Sequence, residues 1–197
     1  MGYVKVTSGP STPILTTSEA KNYLKIDTSA DDTLISDLVT AATDYCENYL
    51  GQKFITQTIQ EVFDKIPKPK INDLFPTLYL TIHPVQSVTS IIYTDTNEAE
   101  QTWSSSLYKV DTHRKAARIT PVYGEVFPDI LAEINSMTVT YVAGYGDAST
   151  DVPASIRQAV RLVLSDMYHN RSDYVKERYT ASQSLLDRLN YNLFVGI

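Results

Sequence analysis

The spacing of apolar residues changes twice along the chain, and that limits the folds open to it. From Thr16 to Leu50 they recur at helical intervals. From Lys53 to Ala143 they fall in short runs rich in Thr, Val, Ile and Tyr, and from Ile156 the helical interval returns. A β region is therefore expected between helical segments. The second change occupies Met137–Arg171, MTVTYVAGYGDASTDVPASIRQAVRLVLSDMYHNR. Val139, Tyr141 and Ala143 alternate with Thr138, Thr140 and Val142 as on a strand. Gly144 and Gly146 break the run, and Asp151 stands as a possible cap ahead of Pro153, a residue tolerated in a first helical turn. Ile156, Ala159, Val160, Val163, Leu164 and Met167 then share one helix face. Strand, glycine turn and helix in succession make this the joint between the halves, with Gly144, Gly146 and Pro153 expected as a structural hinge.

Residues 1–15 read as an N-terminal arm or loop. Thr16 and Glu19 have capping-box spacing, predicting a short helix over Ser18–Lys25. Asp31 or Asp32 is expected to cap the next helix, whose stripe is Leu34, Ile35, Leu38, Val39, Ala42, Tyr45, Cys46 and Tyr49, with Gly51 as its stop. Strands are expected over Ile55–Lys65, Leu78–Ile82, Val88–Asp95, Leu107–Asp111, Ala117–Thr120 and Met137–Ala143. Prolines 67, 69, 76, 84, 121 and 128 lie outside or at the ends of these runs, as sheet geometry requires. A last helix is expected over Ser182–Leu189, with Ser182 as a possible cap. The expected fold class is α+β: two N-terminal helices and a long C-terminal helix form a helical body, and an antiparallel sheet or small sandwich is inserted as a lobe. The expected pieces are 1–15 (arm), 16–51 (helical body), 53–146 (β lobe), 151–171 (long helix) and 172–197 (loop, short helix and tail).

The 197 residues suffice for one sizeable core or for a smaller core with an inserted lobe. A composition of 43% hydrophobic and 20% charged residues is that of an ordinary soluble globular protein. No run reaches the roughly 18–20 apolar residues of a membrane helix, and no secretory signal is expected. A formal net charge of −6 argues against a protein that grips nucleic acid by its phosphates. Cys46, the single cysteine, is expected as a small buried hydrophobe.

Motifs for chemistry are missing. His83, His113 and His169 fall in different predicted elements without metal-ligand spacing, and Gly144-Tyr145-Gly146 lacks the rest of a phosphate-binding fingerprint. No catalytic residue, metal ligand or cofactor is expected. Charge spacing says more. Arg157 and Arg161 are four apart, where like charges cost a helix about 0.2–0.5 kcal/mol, and Asp37, Asp44 and Glu47 gather on a polar side of the earlier helix. The arginines are expected to meet these acids, within the chain or across a subunit boundary. Of 14 tyrosines, Tyr168, Tyr174, Tyr179 and Tyr191 stand in the polar C-terminal quarter, where interface use is the more plausible reading.

The order of motifs is specific where each alone is weak. Thr-x-x-Glu-Ala-Lys-x-x-Leu (Thr16–Leu24) precedes Asp-Asp-x-Leu-Ile (Asp31–Ile35), then Gly-x-x-x-x-x-Gln (Gly51–Gln57) and Pro-Val-x-Ser-Val (Pro84–Val88). Tyr-x-Ala-Gly-Tyr-Gly (Tyr141–Gly146), Val-Pro-x-x-Ile-x-x-Ala (Val152–Ala159) and Tyr-x-Asn-Arg (Tyr168–Arg171) follow. Over roughly Thr16–Leu189 the chain resembles the tailed-bacteriophage head–tail connector proteins, also called head-completion or adaptor proteins. Other oligomeric neck components, such as a stopper or tail terminator, are the alternative; they are more purely β than this chain.

The resemblance implies a virion structural protein of the neck and no enzyme. It implies a homo-oligomeric ring, commonly of twelve copies, beneath the portal protein. Such a ring extends the DNA channel, lets DNA pass without sequence-specific binding and presents a platform to the next neck or tail completion protein. The C-terminal segment would be the portal-docking tail, with Leu185, Leu189, Tyr191, Leu193, Phe194 and Ile197 as its apolar contacts.

Overall fold

The computed structural model describes residues 3–66, 76–170 and 180–194, without the side chains of 191–194. In chain order the elements are β1 (Tyr3–Ser8), α1 (Thr17–Leu24), α2 (Asp32–Leu50), β2 (Gln57–Phe63), β3 (Leu78–Tyr79), β4 (Val85–Thr94), β5 (Glu100–Thr102), β6 (Tyr108–Asp111), β7 (Arg118–Pro121), β8 (Met137–Ala143), α3 (Ala154–His169) and α4 (Ala181–Phe194). They form two compact units, a β lobe of Met1–Gly9 with Thr56–Gly144 and a helical unit of Pro10–Ile55 with Tyr145–Ile197.

The lobe holds a five-stranded antiparallel sheet, β1-β2-β8-β4-β5, and a three-stranded one, β3-β7-β6. β8 lies at the centre of the larger sheet, and every second residue of it is buried, Met137, Val139, Tyr141 and Ala143. That is the alternation a half-covered strand imposes. Ile59 and Ile91 from the large sheet and Leu78, Tyr108 and Ile119 from the small one close over these side chains in one core, which makes the lobe a small sandwich. Glu61 is fully buried there; it accepts Thr81 N–H at 2.9 Å and Tyr141 O–H at 3.0 Å, together with the Thr81 hydroxyl. A buried carboxylate needs such donors.

The helical unit has its own core from α2 (Ile35, Val39, Ala42, Cys46), α3 (Ile156, Ala159, Val160, Val163, Leu164) and Leu186 of α4. The expected stripe of α3 is therefore its core face, with Met167 packed at its edge. No described helix is long and apolar enough to cross a membrane.

Several local expectations need correction. The stretch read as an arm supplies β1, an edge strand whose residues are almost all exposed, so burial leaves no mark in its sequence. β5, three polar residues at the other edge, escapes notice for the same reason. Tyr45 and Tyr49 of the α2 stripe stand 39% and 37% exposed with rings 6.2 Å apart; Leu50 and Glu47 bury instead. Asp31 makes no side-chain cap on α2; its carboxylate accepts Tyr168 O–H at 2.7 Å, while Asp32 pairs with Lys21 at 2.6 Å. Asp151 caps a short 3-10 turn, Ser149–Asp151, by accepting Ala148 N–H at 3.0 Å, and α3 starts after Pro153. Thr180, not Ser182, caps α4: its hydroxyl accepts Gln183 N–H at 3.3 Å, and its own N–H donates to Gln183 Oε1 at 3.0 Å.

Candidate functional site

Three places collect the side chains singled out by the sequence: the joint after β8, the flank of α3 beside α1, and α4.

At the joint the chain passes from lobe to helical unit between Gly144 and Tyr145. Gly144 has φ +136°, a conformation closed to residues with a side chain, and donates its N–H to Pro84 O at 2.9 Å. Tyr145 turns into the helical unit, where its N–H bonds Phe54 O at 2.9 Å and its hydroxyl donates to Gln52 Oε1 at 3.1 Å. Gly146 forms an isolated parallel bridge with Ile55. Gly144 is thus required by its backbone angle, and Gly146 sits at the chain's close pairing with Ile55.

On the α3 flank, Arg157 and Arg161 lie near Glu19 of α1. Glu19 closes the capping box: its carboxylate accepts Thr16 N–H at 2.8 Å, and its own N–H donates to Thr16 Oγ1 at 3.2 Å. These Thr16 contacts hold the Glu19 carboxyl below its usual pKa, and Arg161 and Arg157 lower it further by smaller amounts. Among the described residues neither arginine makes an ion pair within 4.0 Å. The Nε of Arg157 is buried with no hydrogen-bond partner, an arrangement that costs stability wherever no acceptor is supplied.

The acids expected opposite them are arranged otherwise. Asp37 and Asp44 are exposed on the outward side of α2. Glu47 is 4% exposed and committed to its own turn, with Lys53 Nζ at 2.6 Å and Phe54 N–H donating at 2.9 Å. Among the described residues no ion pair joins Arg157 or Arg161 to Glu47. Spacing alone misses this because the cation that claims Glu47 comes after the helix, beyond the stop at Gly51.

α4 is shaped by Leu186, which is fully buried, and by a hydrogen bond from Tyr49 O–H to Asp187. Leu185 and Leu189, expected as docking contacts, are half-buried against the helical core. This packing sets one side of each against its own unit and leaves the rest of the side chain accessible. Ile197, Tyr174 and Tyr179 lie outside the described residues, as do the side chains of Tyr191, Leu193 and Phe194. Tyr168 is engaged by Asp31 within the chain.

Cys46 is buried, and burial pushes its thiol up to about 12, so no thiolate forms near neutral pH. No group of three His, Cys, Asp or Glu among the described residues converges on a metal position. A 290 Å³ pocket between the end of α3 and the start of α4 is lined by Leu162, Asp166, His169 and Thr180 among others.

A family model described as head completion protein matches residues 13–185. No curated protein matches the chain by sequence. Solved structures share its fold at low identity. A chain in the neck of the empty gene transfer agent (GTA) particle, computed with C6 symmetry, superposes with TM-score 0.78 at 17% identity, covering 94% of each chain. A chain in the virion of the native GTA particle gives TM-score 0.75 at 17% identity over 94% of this chain and 93% of that one. A chain in the neck of the native particle, computed with C12 symmetry, gives 0.73 at 17% identity with the same coverages.

Proposed function

The chain belongs to the head completion protein family, whose work is structural, at the head–tail connection of a virion, and on that premise we propose that its copies form a ring beneath the portal protein. The observation that carries this reading is the family match itself, which runs from residue 13 to residue 185 and so takes in helices and lobe alike. A neck reconstructed with C12 symmetry contains a chain of the same fold, which supports twelve copies. The ring extends the DNA channel and offers its far side to the next neck or tail completion protein. A net charge of −6 suits a conduit that DNA must leave without sticking. The role asks for no catalysis.

A rotational ring is held by heterologous contacts, in which one surface of a copy meets a different surface of its neighbour. Arg157 and Arg161 of one copy and the exposed Asp37 and Asp44 of the next form such a pair in this reading. A carboxylate arriving at Arg157 would satisfy its orphaned Nε, a charge-assisted bond worth more than a neutral one. The apolar end of the chain, Tyr191–Ile197, is the portal-docking segment, and it begins within the last turn of α4. Gly144 and Gly146 act as the joint on which lobe and helical unit are set.

Mass measurement of the pure protein with and without portal rings tests the reading. Portal-dependent assembly of about a dozen copies is expected; a monomer that ignores the portal would overturn it. Deleting Tyr191–Ile197 should abolish portal binding and leave the fold intact, with a cooperative thermal unfolding transition; unchanged binding would overturn the assignment. Arg161→Glu should weaken ring formation, and adding Asp44→Arg should restore it; independent effects of the two changes would remove this pair from the interface.

A further inference from the structure

The connection between β7 and β8 exposes large apolar side chains on a backbone that is fixed. Tyr123, Val126 and Ile134 are 105%, 78% and 75% exposed. Nevertheless the connection is pinned along its length. Val122 N–H donates to Leu107 O at 3.0 Å and Glu125 N–H to Val122 O at 3.0 Å, with Gly124 at φ +88° in the turn between. Phe127 packs on Trp103 with ring centroids 5.1 Å apart, Leu131 N–H donates to Thr94 O at 2.9 Å, and Asn135 N–H donates to Asp64 Oδ1 at 2.9 Å. Exposed apolar groups held in place this way favour association, because little conformational freedom is left to lose on binding. Glu125, Asp129 and Glu133 are exposed among them and make the connection acidic.

The small sheet of the same lobe offers a surface of opposite sign. Tyr79 lies opposite Arg118, and Arg118 opposite Asp111, so the three share a face, with Lys109 two residues from Asp111 on that face too. The next row, Leu78, Ile119 and Val110, points into the lobe core, so the first row faces outward. Arg118 at 2.8 Å and Arg114 at 3.9 Å share the single carboxylate of Asp111. Two arginines and the exposed Lys109 thus outweigh one acid and set a positive sign on the face that carries Tyr79. The acidic connection leaves the β6–β7 hairpin at Pro121, the end opposite the tip that carries Arg114. The two surfaces are thus distinct patches of one chain, as a head-to-tail contact requires.

We propose that in the ring the 122–135 connection of one copy docks on the outer face of the small sheet of the next, Tyr123 and Val126 against Tyr79 and the acids against Lys109 and Arg114. This inference rests on the ring reading above and names a lobe contact for it. Two charge reversals test it, Glu125→Lys with Asp129→Lys and Glu133→Lys on one side, Lys109→Glu with Arg114→Glu on the other. Each set should lower assembly on portal rings at least tenfold with an unchanged thermal unfolding midpoint, and mixing the two variants should recover it. Parent-like assembly by both sets would discard the contact and leave the ring standing; failure of the parent itself to assemble would discard both. A benzophenone amino acid placed at Val126 in assembled particles gives a second readout. Cross-links to residues 78–118 of another copy support the contact, whereas cross-links only to a different protein, or none, overturn it.

Discussion

Gly146 has Asp151 where its side chain would have to go. A methyl group built there meets Asp151 Oδ2 at 2.3 Å and Asp151 Cβ at 2.6 Å. Asp151 cannot swing aside freely, because its carboxylate accepts the Ala148 N–H that closes the 3-10 turn before α3. Gly146→Ala is therefore expected to lower stability by about 1–3 kcal/mol, the usual cost of forcing atoms into a packed site. Gly9→Ala, with nothing within 4 Å of the added methyl, is the matched control. Urea midpoints of the two variants check this; equal midpoints would show that the turn gives way at no cost. His83 offers a test by pH. It is 7% exposed, its Nε2 has no partner, and burial, then the nearby Lys115, pushes its pKa down from 6.5 to about 4. Between these values the unfolded chain takes up a proton that the folded one refuses, so stability falls as pH drops from about 6.5 to about 4, by on the order of 3 kcal/mol. His83→Leu should flatten the slope in that window. Losses at lower pH remain, where Glu19, Asp95 and Asp111, all held below their usual pKa by hydrogen bonds, take up protons. An unchanged slope would mean that His83 is not the group responsible.

At the scale of elements, Leu186 is the fully buried side chain of α4 among the described residues. It sits in the helical core, with Leu185 and Leu189 packed at its margin. Leu186→Ala should cost about 2–5 kcal/mol and detach α4 before the rest unfolds, seen as faster amide exchange in 181–194 than in α2 and α3. Equal exchange in all three would mean that α4 melts only with its unit. The same scale explains what the sequence revealed. α2, α3 and β8 were readable because each buries one face continuously, so that Ile156, Ala159, Val160, Val163 and Leu164 or Met137, Val139, Tyr141 and Ala143 repeat at the period of their element. β1 and β5 were not, because edge strands with exposed residues carry no such stripe. The candidate site was half readable. The arginine pair stands out in sequence, but the fate of Glu47 and the approach of Glu19 are set by chain segments that local spacing does not connect. The burial of Glu61 is hidden for the same reason, since its partners Thr81 and Tyr141 are 20 and 80 residues away.

The whole molecule is two units with separate cores, each built from two distant stretches of chain. Ile91 and Val139 belong wholly to the lobe core, and Leu164 and Val160 wholly to the helical one. Energetic coupling between residues without shared partners is small, usually within about 0.5 kcal/mol. A cavity in one core should therefore loosen that unit first. Ile91→Ala is expected to cost about 2–5 kcal/mol and to raise amide exchange across β2, β4 and β8, with α2 and α3 still protected. Leu164→Ala should do the reverse. If either substitution instead raised exchange equally in both units, the chain would unfold as a single cooperative body, and β1 gives a physical reason to watch for that outcome. The chain crosses from the lobe to the helical unit at Gly9–Pro10, returns at Ile55–Thr56 and leaves again at Gly144–Tyr145, so three covalent links join the two units. Comparing exchange in β1 between the two variants separates these cases: independent units keep β1 protected in Leu164→Ala, whereas a coupled chain loses β1 along with α2.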